Sequence, residues 1–284
     1  MDKTERIHEE VKQRYTAAVT ESTGCCGPKK SCCGAPELPE DRVVASAGYR
    51  PEELNTLPAD AVVNSFGCGN PLAFAGVLPG ETVIDIGSGA GIDCLLASQK
   101  VGPAGQVIGV DMTPVMIQKA RANAERAGAR NVEFRQGQAE DLPVKDATAD
   151  WIISNCVINL SPDKPRVFRE LFRAMRPGGR LSISDIMVEK LPWFLRRSTA
   201  LYAACVSGAI PEAKYLQGLR DAGFDDVKVT ERIVYDHDQV VALFDESRIL
   251  GPFTKLMKPL AIRLLDRYIV GKVWSSKVTG IKRS

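Results

Sequence analysis

Histidine is scarce in this chain: His8 and His237 are the only two in 284 residues, and both stand far in sequence from the glycine-rich stretch at Gly87 to Gly91. A chain so poor in imidazole is not expected to depend on histidine acid–base chemistry. An excess of one charge is lacking too, with a net charge of +2, which argues against a protein held to nucleic acid by phosphate contacts. No uninterrupted apolar run approaches the roughly 18 residues of a membrane span. The N-terminus, Met1-Asp-Lys-Thr-Glu-Arg-Ile-His-Glu-Glu10, is too charged for a signal peptide. A cytoplasmic protein is therefore expected. Apolar residues at 44% and charged residues at 25% fit one large globular domain with appendages.

What is there is organised around Val83-Ile-Asp-Ile-Gly-Ser-Gly-Ala-Gly91, an apolar run that breaks into alternate glycines and then into Ile92-Asp-Cys-Leu-Leu-Ala97. This reads as a strand, a tight turn and a helix start. Gly87, Gly89 and Gly91 permit backbone conformations closed to other residues and let a ligand lie against the main chain. A dinucleotide fingerprint has the spacing G-x-G-x-x-G, whereas here it is G-x-G-x-G. A second strand, Gln106 to Val110, ends in Asp111, twenty residues past Gly91, where a ribose-binding carboxylate belongs. The pair of signals points to a nucleoside ligand. The shorter glycine spacing, with Asp85 two residues ahead of it, resembles the cofactor loop of the S-adenosylmethionine-dependent methyltransferases.

Residues 4–19 place Ile7, Val11, Tyr15 and Ala18 at helical spacing, which predicts an amphipathic helix packed as a cap. Short helices are expected from Pro51 and Pro58. After the glycine turn, helix and strand alternate. Thr113-Pro114 starts a helix closed by Gly128, Val132–Gln136 and Trp151–Ser154 are strands, Ser161-Pro162 starts a helix stopped by Arg176-Pro-Gly-Gly179, and Leu181–Ile186 is the fifth strand. Leu191 to Ile210 reads as mostly helical, Glu212 to Ala222 as a helix, Val227–Val234 as strand six and Trp274–Ile281 as a final antiparallel strand. Such alternation implies an α/β fold with ligands at the carboxyl ends of the strands. Asp85, Asp111, Ala139, Glu140, Asn155, Cys156 and Asp185 all fall there. Between the last two strands, Pro259 to Ile269 reads as an amphipathic helix, more often a core-facing cover than a membrane-surface helix.

Eight cysteines remain. In a cytosolic chain of this size thiols are expected to stay reduced. Gly24-Cys-Cys-Gly-Pro-Lys-Lys-Ser-Cys-Cys-Gly34 is a loop by composition, and its vicinal cysteine pairs do not fit zinc-site spacing. It reads as a thiol-exchanging arm or as a segment with weak affinity for soft metals. Cys94, on the helix after the glycine turn, reads as a small apolar core residue.

Phe66-Gly-Cys-Gly-Asn70, Val83 to Asp93, Val110-Asp-Met-Thr113, Ser154-Asn-Cys-Val-Ile-Asn-Leu-Ser-Pro-Asp-Lys164, Pro177-Gly-Gly179 and Cys205-Val-Ser-Gly-Ala209 together resemble the arsenite methyltransferases, from about Tyr49 to Phe224. The glycine turn and Pro-Gly-Gly are shared by many small-molecule methyltransferases; the run through Asn155 to Lys164 is the distinctive part. The resemblance implies a Rossmann-like class I methyltransferase with a mainly parallel seven-stranded sheet, a helical and cysteine-rich cap over 1–48, a core over 49–235 and a C-terminal helical segment with the last strand over 236–284. It implies an arsenic-detoxifying enzyme that moves a methyl group from S-adenosylmethionine to trivalent arsenic. Cofactor roles are implied for Asp85, Gly87, Ser88, Gly89, Gly91, Asp111, Met112, Ala139, Glu140 and Asn155. A thiol reductant, thioredoxin or glutathione, is implied as co-substrate, with thioredoxin a candidate partner and Cys32 and Cys33 candidates for the relay. Trivalent arsenic is thiophilic, so Cys68, Cys156 and Cys205 are the expected ligands of arsenite or its thiol conjugates. Two rivals stand beside this reading: a methyltransferase of another, quinone-like small molecule, and a non-catalytic thiol protein that binds metalloid.

Overall fold

The computed structural model describes residues 3–21, 49–63, 70–71, 76–193, 196, 202, 205–235 and 270–283. Within them lie strands β1 (Thr82–Ile86), β2 (Gln106–Asp111), β3 (Val132–Gln136), β4 (Ala149–Asn155), β5 (Met175–Val188), β6 (Asp225–Val234) and β7 (Val273–Ile281). The helices are α1 (Lys3–Glu21), α2 (Pro51–Leu54), α3 (Ala59–Val63), α4 (Ile92–Val101), α5 (Pro114–Arg126), α6 (Lys164–Ala174) and α7 (Glu212–Asp221). The strands form one seven-stranded sheet of order β3-β2-β1-β4-β5-β7-β6. Pairings across β3, β2, β1, β4 and β5 are parallel, and β7 is antiparallel to both β5 and β6. This is the mainly parallel sheet the alternation predicts.

The central strands are covered on both faces, which explains their continuous apolar runs. Val83, Val107, Trp151 and Ile153 pack on one face with Leu95 of α4 and Ile117 of α5, while Ile84, Ile86, Ile108 and Ile152 pack on the other with Val167, Phe168 and Leu171 of α6. Successive side chains of a strand point to opposite faces, so this division follows directly from the sequence.

Some boundaries differ from expectation. The helix expected from Ser161-Pro162 begins at Lys164, after a 3-10 turn over Ile158–Leu160. Asp163 caps it by accepting the Arg166 N–H at 3.0 Å, which leaves Pro165 and not Pro162 in the first turn. The helix stops at Ala174, directly ahead of Arg176-Pro-Gly-Gly179 as expected, and that stretch itself belongs to β5, which runs from Met175 to Val188 and starts earlier than the expected Leu181. The final antiparallel strand stands where expected, paired along β5 from Arg180↔Ile281 to Val188↔Val273. The cysteine loop and the helix expected over Pro259 to Ile269 lie outside the described residues, as do nine of the twenty residues of Leu191 to Ile210. That segment is expected to be mostly helical, but its stretch from Cys205 to Ile210 is turn and irregular chain.

A third apolar cluster ties the N-terminal helix to the sheet. Ile7, Val11 and Tyr15 of α1 pack with Met112, Cys156, Leu160, Ile186, Cys205 and Val206. The helix therefore lies over the carboxyl ends of the strands.

Candidate functional site

At the end of β1 the chain turns through Gly87, Gly89 and Gly91, all with positive φ (73°, 51° and 94°), a region that disfavours side chains. A Cβ on Gly87 would stand 2.1 Å from Val157 Cγ2 and one on Gly91 3.0 Å from Phe134 Cζ, whereas one on Gly89 would enter open space. Gly87 and Gly91 thus let the turn pack, and Gly89 leaves room above it. The Gly89 N–H donates to Asp111 Oδ2 at 3.0 Å, and the Thr113 N–H donates to Asp111 Oδ1 at 2.8 Å. Burial pushes the Asp111 carboxyl up, opposed by those two amides. The Ser88 hydroxyl is buried and has no hydrogen-bond partner among the described residues. A buried polar atom left without a partner is costly unless a ligand or water meets it.

The turn forms one wall of an open cavity whose empty space, mouth included, is about 940 Å³. Gly87, Ser88, Gly89, Asp111, Met112, Ala139, Glu140, Asn155 and Cys156 line it, each of them expected from the sequence to be a site residue. Asp85 and Gly91 do not. Asp85 lies beneath the turn, where it accepts the Cys94 thiol at 3.3 Å; burial and the neighbouring Asp93 push its carboxyl well up. Cys94 is buried, as expected of an apolar core residue, and additionally serves this carboxylate.

Residues that sequence reasoning passed over complete the walls. Asp93 and His8 both line the cavity. Asp93 Oδ1 accepts the Tyr49 hydroxyl at 2.8 Å, while Asn155 Nδ2 donates to Asp93 Oδ2 at 3.3 Å and to the Tyr49 oxygen at 3.0 Å. Burial raises the Asp93 carboxyl to about 6 against the pull of those bonds. On the opposite wall, His8 Nε2 lies 3.1 Å from Glu140 Oε1, which also accepts the Ser161 hydroxyl at 2.5 Å. His8 adjoins the apolar stripe of α1, a local sign that it faces inward; Asp93 sits in the first turn of the helix after the glycines. Neither position says which partner it will meet.

Cys156 and Cys205 come together beyond β4 and β5. The Cys205 thiol donates to the Cys156 carbonyl at 2.7 Å. Both residues have left-handed backbone, φ 59° and 60°, which is uncommon outside glycine and concentrates at functional sites. Cys205 is free and buried. Burial and the nearby Asp185 push its thiol up, opposed by the Lys164 ammonium and a hydrogen bond with Tyr15. Lys164 is itself buried, donates to the Ser161 and Asn159 carbonyls at 3.0 and 3.3 Å, and is lowered by burial to about 8. Cys156 is disulfide-bonded, contrary to the expectation that the thiols stay reduced. Cys68, Cys32 and Cys33 also lie outside them. Among the described residues no three His, Cys, Asp or Glu side chains form a metal-holding group.

Known proteins are similar to this chain in both fold and sequence. Residues 78–258 match the methyltransferase domain family. The chain is 41% identical over 261 residues to an arsenite methyltransferase of Halobacterium salinarum, covering 88% of this chain and 64% of that protein. It is 36% identical over 249 residues to an arsenite methyltransferase of Aquipseudomonas alcaligenes, covering 85% and 67%. It thus spans about two thirds of the length of these relatives. Among solved structures it is similar to an arsenic(III) S-adenosylmethionine methyltransferase from Chlamydomonas reinhardtii, with a TM-score of 0.64, 29% identity and coverage of 85% of this chain and 73% of that one.

Proposed function

The chain belongs to the arsenite methyltransferase family, and from that premise we propose that it transfers a methyl group from S-adenosylmethionine to trivalent arsenic held by Cys68, Cys156 and Cys205, in the service of arsenic detoxification. The observation that carries the proposal is the pair of cysteines in left-handed backbone, Cys156 lining the cavity beside the glycine turn and Cys205 bonded to the Cys156 carbonyl. A cysteine kept only for its bulk gains nothing from a conformation that glycine adopts more readily.

The residues present fit the methyl donor. The Ser88 hydroxyl has no partner among the described residues, and Gly89 faces open space where a ligand can lie against backbone. Asp111 accepts the Gly89 and Thr113 amides and the Thr113 hydroxyl, which leaves a lone pair for a ribose hydroxyl. Met112, Ala139 and Glu140 would flank the base, Asn155 and Asp93 would meet the amino-acid end, and Asp85 and Gly91 would support the turn from below. Bound there, S-adenosylmethionine supplies an electrophilic sulfonium methyl.

Three protonated thiols exchange with As(OH)₃ to give three As–S bonds, each thiol proton leaving in a molecule of water. Arsenic so held keeps a lone pair on its open face and carries no proton. Transfer needs no general base, which suits a chain with two histidines. The protein's task is positioning and exclusion of water. Tyr15 and Lys164 support Cys205, the first by a hydrogen bond to its sulfur and the second by its charge. The Cys156 disulfide has to be opened before that thiol can bind arsenic, which takes two electrons and two protons from a thiol reductant such as glutathione or thioredoxin.

The test is methylarsenic formation from arsenite, S-adenosylmethionine and excess thiol, comparing wild type with Cys156→Ser. Product from wild type and none from a folded, S-adenosylhomocysteine-binding variant is expected. Equal product from both removes Cys156 from the mechanism. No product from either favours another small-molecule substrate or a sequestering protein.

A further inference from the structure

The Glu140 carboxylate is reached from two distant segments. His8 comes from α1, 132 residues away, Ser161 from the turn after β4, 21 residues away, and both meet the same oxygen, Oε1. His8 and Glu140 are each 6% exposed, and all three residues line the same cavity as the glycine turn. Burial pushes the Glu140 carboxyl up, but the bonds from His8 and Ser161 outweigh it and hold the group below its ordinary range. A carboxylate so held is an ionised acceptor with a fixed direction.

We propose that His8 is a positioning residue for the methyl donor, holding the Glu140 carboxylate, together with the Ser161 hydroxyl, in the orientation that meets the nucleoside. The inference rests on the nucleoside reading of the cavity. His8, Val11 and Tyr15 follow one face of α1, so seven residues, or about 10 Å of helix, join the Glu140 wall to Cys205. A pairing that served only to fasten α1 would leave nucleoside affinity indifferent to which donor sits at position 8 once the fold is intact.

The experiment is calorimetric titration of the full chain with S-adenosylhomocysteine, with the melting temperature recorded for every variant. His8→Ala is expected to bind about tenfold more weakly, the loss of one hydrogen bond to a charged group. His8→Gln, which restores an N–H donor, is expected to recover most of that loss, and Ser161→Ala to weaken binding about threefold. On a Glu140→Gln background, His8→Ala is expected to add less than about a twofold further loss. The proposal is overturned if His8→Ala binds like wild type, if His8→Gln is as weak as His8→Ala at an unchanged melting temperature, or if the loss persists in full on the Glu140→Gln background. Should His8→Ala fail to fold, Ser161→Ala decides, and unchanged affinity there overturns the proposal. Wild type that does not bind S-adenosylhomocysteine overturns the nucleoside reading itself.

Discussion

The glycine turn and the cysteine pair meet the same backbone demand in opposite ways. At the end of β1 the left-handed conformations fall on Gly87, Gly89 and Gly91; beyond β4 and β5 they fall on Cys156 and Cys205. Where the backbone itself receives the ligand, the residue without a Cβ is the natural occupant. On the proposed function the thiol is needed, and the side chain is kept although the conformation costs about 1 kcal/mol relative to glycine. The glycine turn is therefore a packing arrangement, and on the proposed function the cysteine pair is a chemical one, maintained against conformation.

That contrast can be broken first on the glycine wall. Gly87→Ala places a Cβ 2.1 Å from Val157 Cγ2 at φ 73°, so the turn must shift; S-adenosylhomocysteine affinity is expected to fall about a hundredfold, equivalent to about 3 kcal/mol, by calorimetry. Asp111→Ala removes the acceptor of the Gly89 and Thr113 amides and is expected to cost about 2 kcal/mol in the same titration. On the cysteine wall the order of replacements reverses. Cys205→Gly is expected to be more stable than Cys205→Ala by about 1 kcal/mol in denaturant unfolding, because only glycine relieves φ 60°, while both lose arsenite binding.

The smallest effect concerns pH. The Asp93 carboxyl is raised to about 6 in the fold, so folding favours its protonated form. Its contribution to stability is complete below the ordinary carboxylate range and is lost as pH rises through about 6. The melting-temperature deficit of Asp93→Asn relative to wild type is therefore expected to shrink by about 2 °C between about pH 5 and about pH 8.

What was legible in the sequence was local. Alternate glycines after an apolar run, and an acid after the next strand, specify a turn and its neighbour within some thirty residues, and β1, β2 and the glycine turn stand where expected. The start of α6 was ambiguous because Ser161-Pro162 and Asp163-Lys-Pro165 satisfy the same capping rule, and the chain uses the second. Pairings set by tertiary contact were not legible. Nothing near His8 announces Glu140, and nothing in the run Val273–Ile281 says that it inserts between β5 and β6. Cys156 and Cys205 could be named from their surroundings, but their shared left-handed backbone and the bond between them appear only once the strands are assembled.

The central claim, that arsenic sits on thiolates at this wall, is tested most directly by arsenic X-ray absorption on the reduced full chain with one equivalent of arsenite. A shell of three sulfur neighbours without oxygen is expected, falling to two sulfurs and an oxygen in Cys156→Ser or Cys205→Ser. An oxygen-dominated shell in wild type, or three sulfurs retained in both variants, contradicts it.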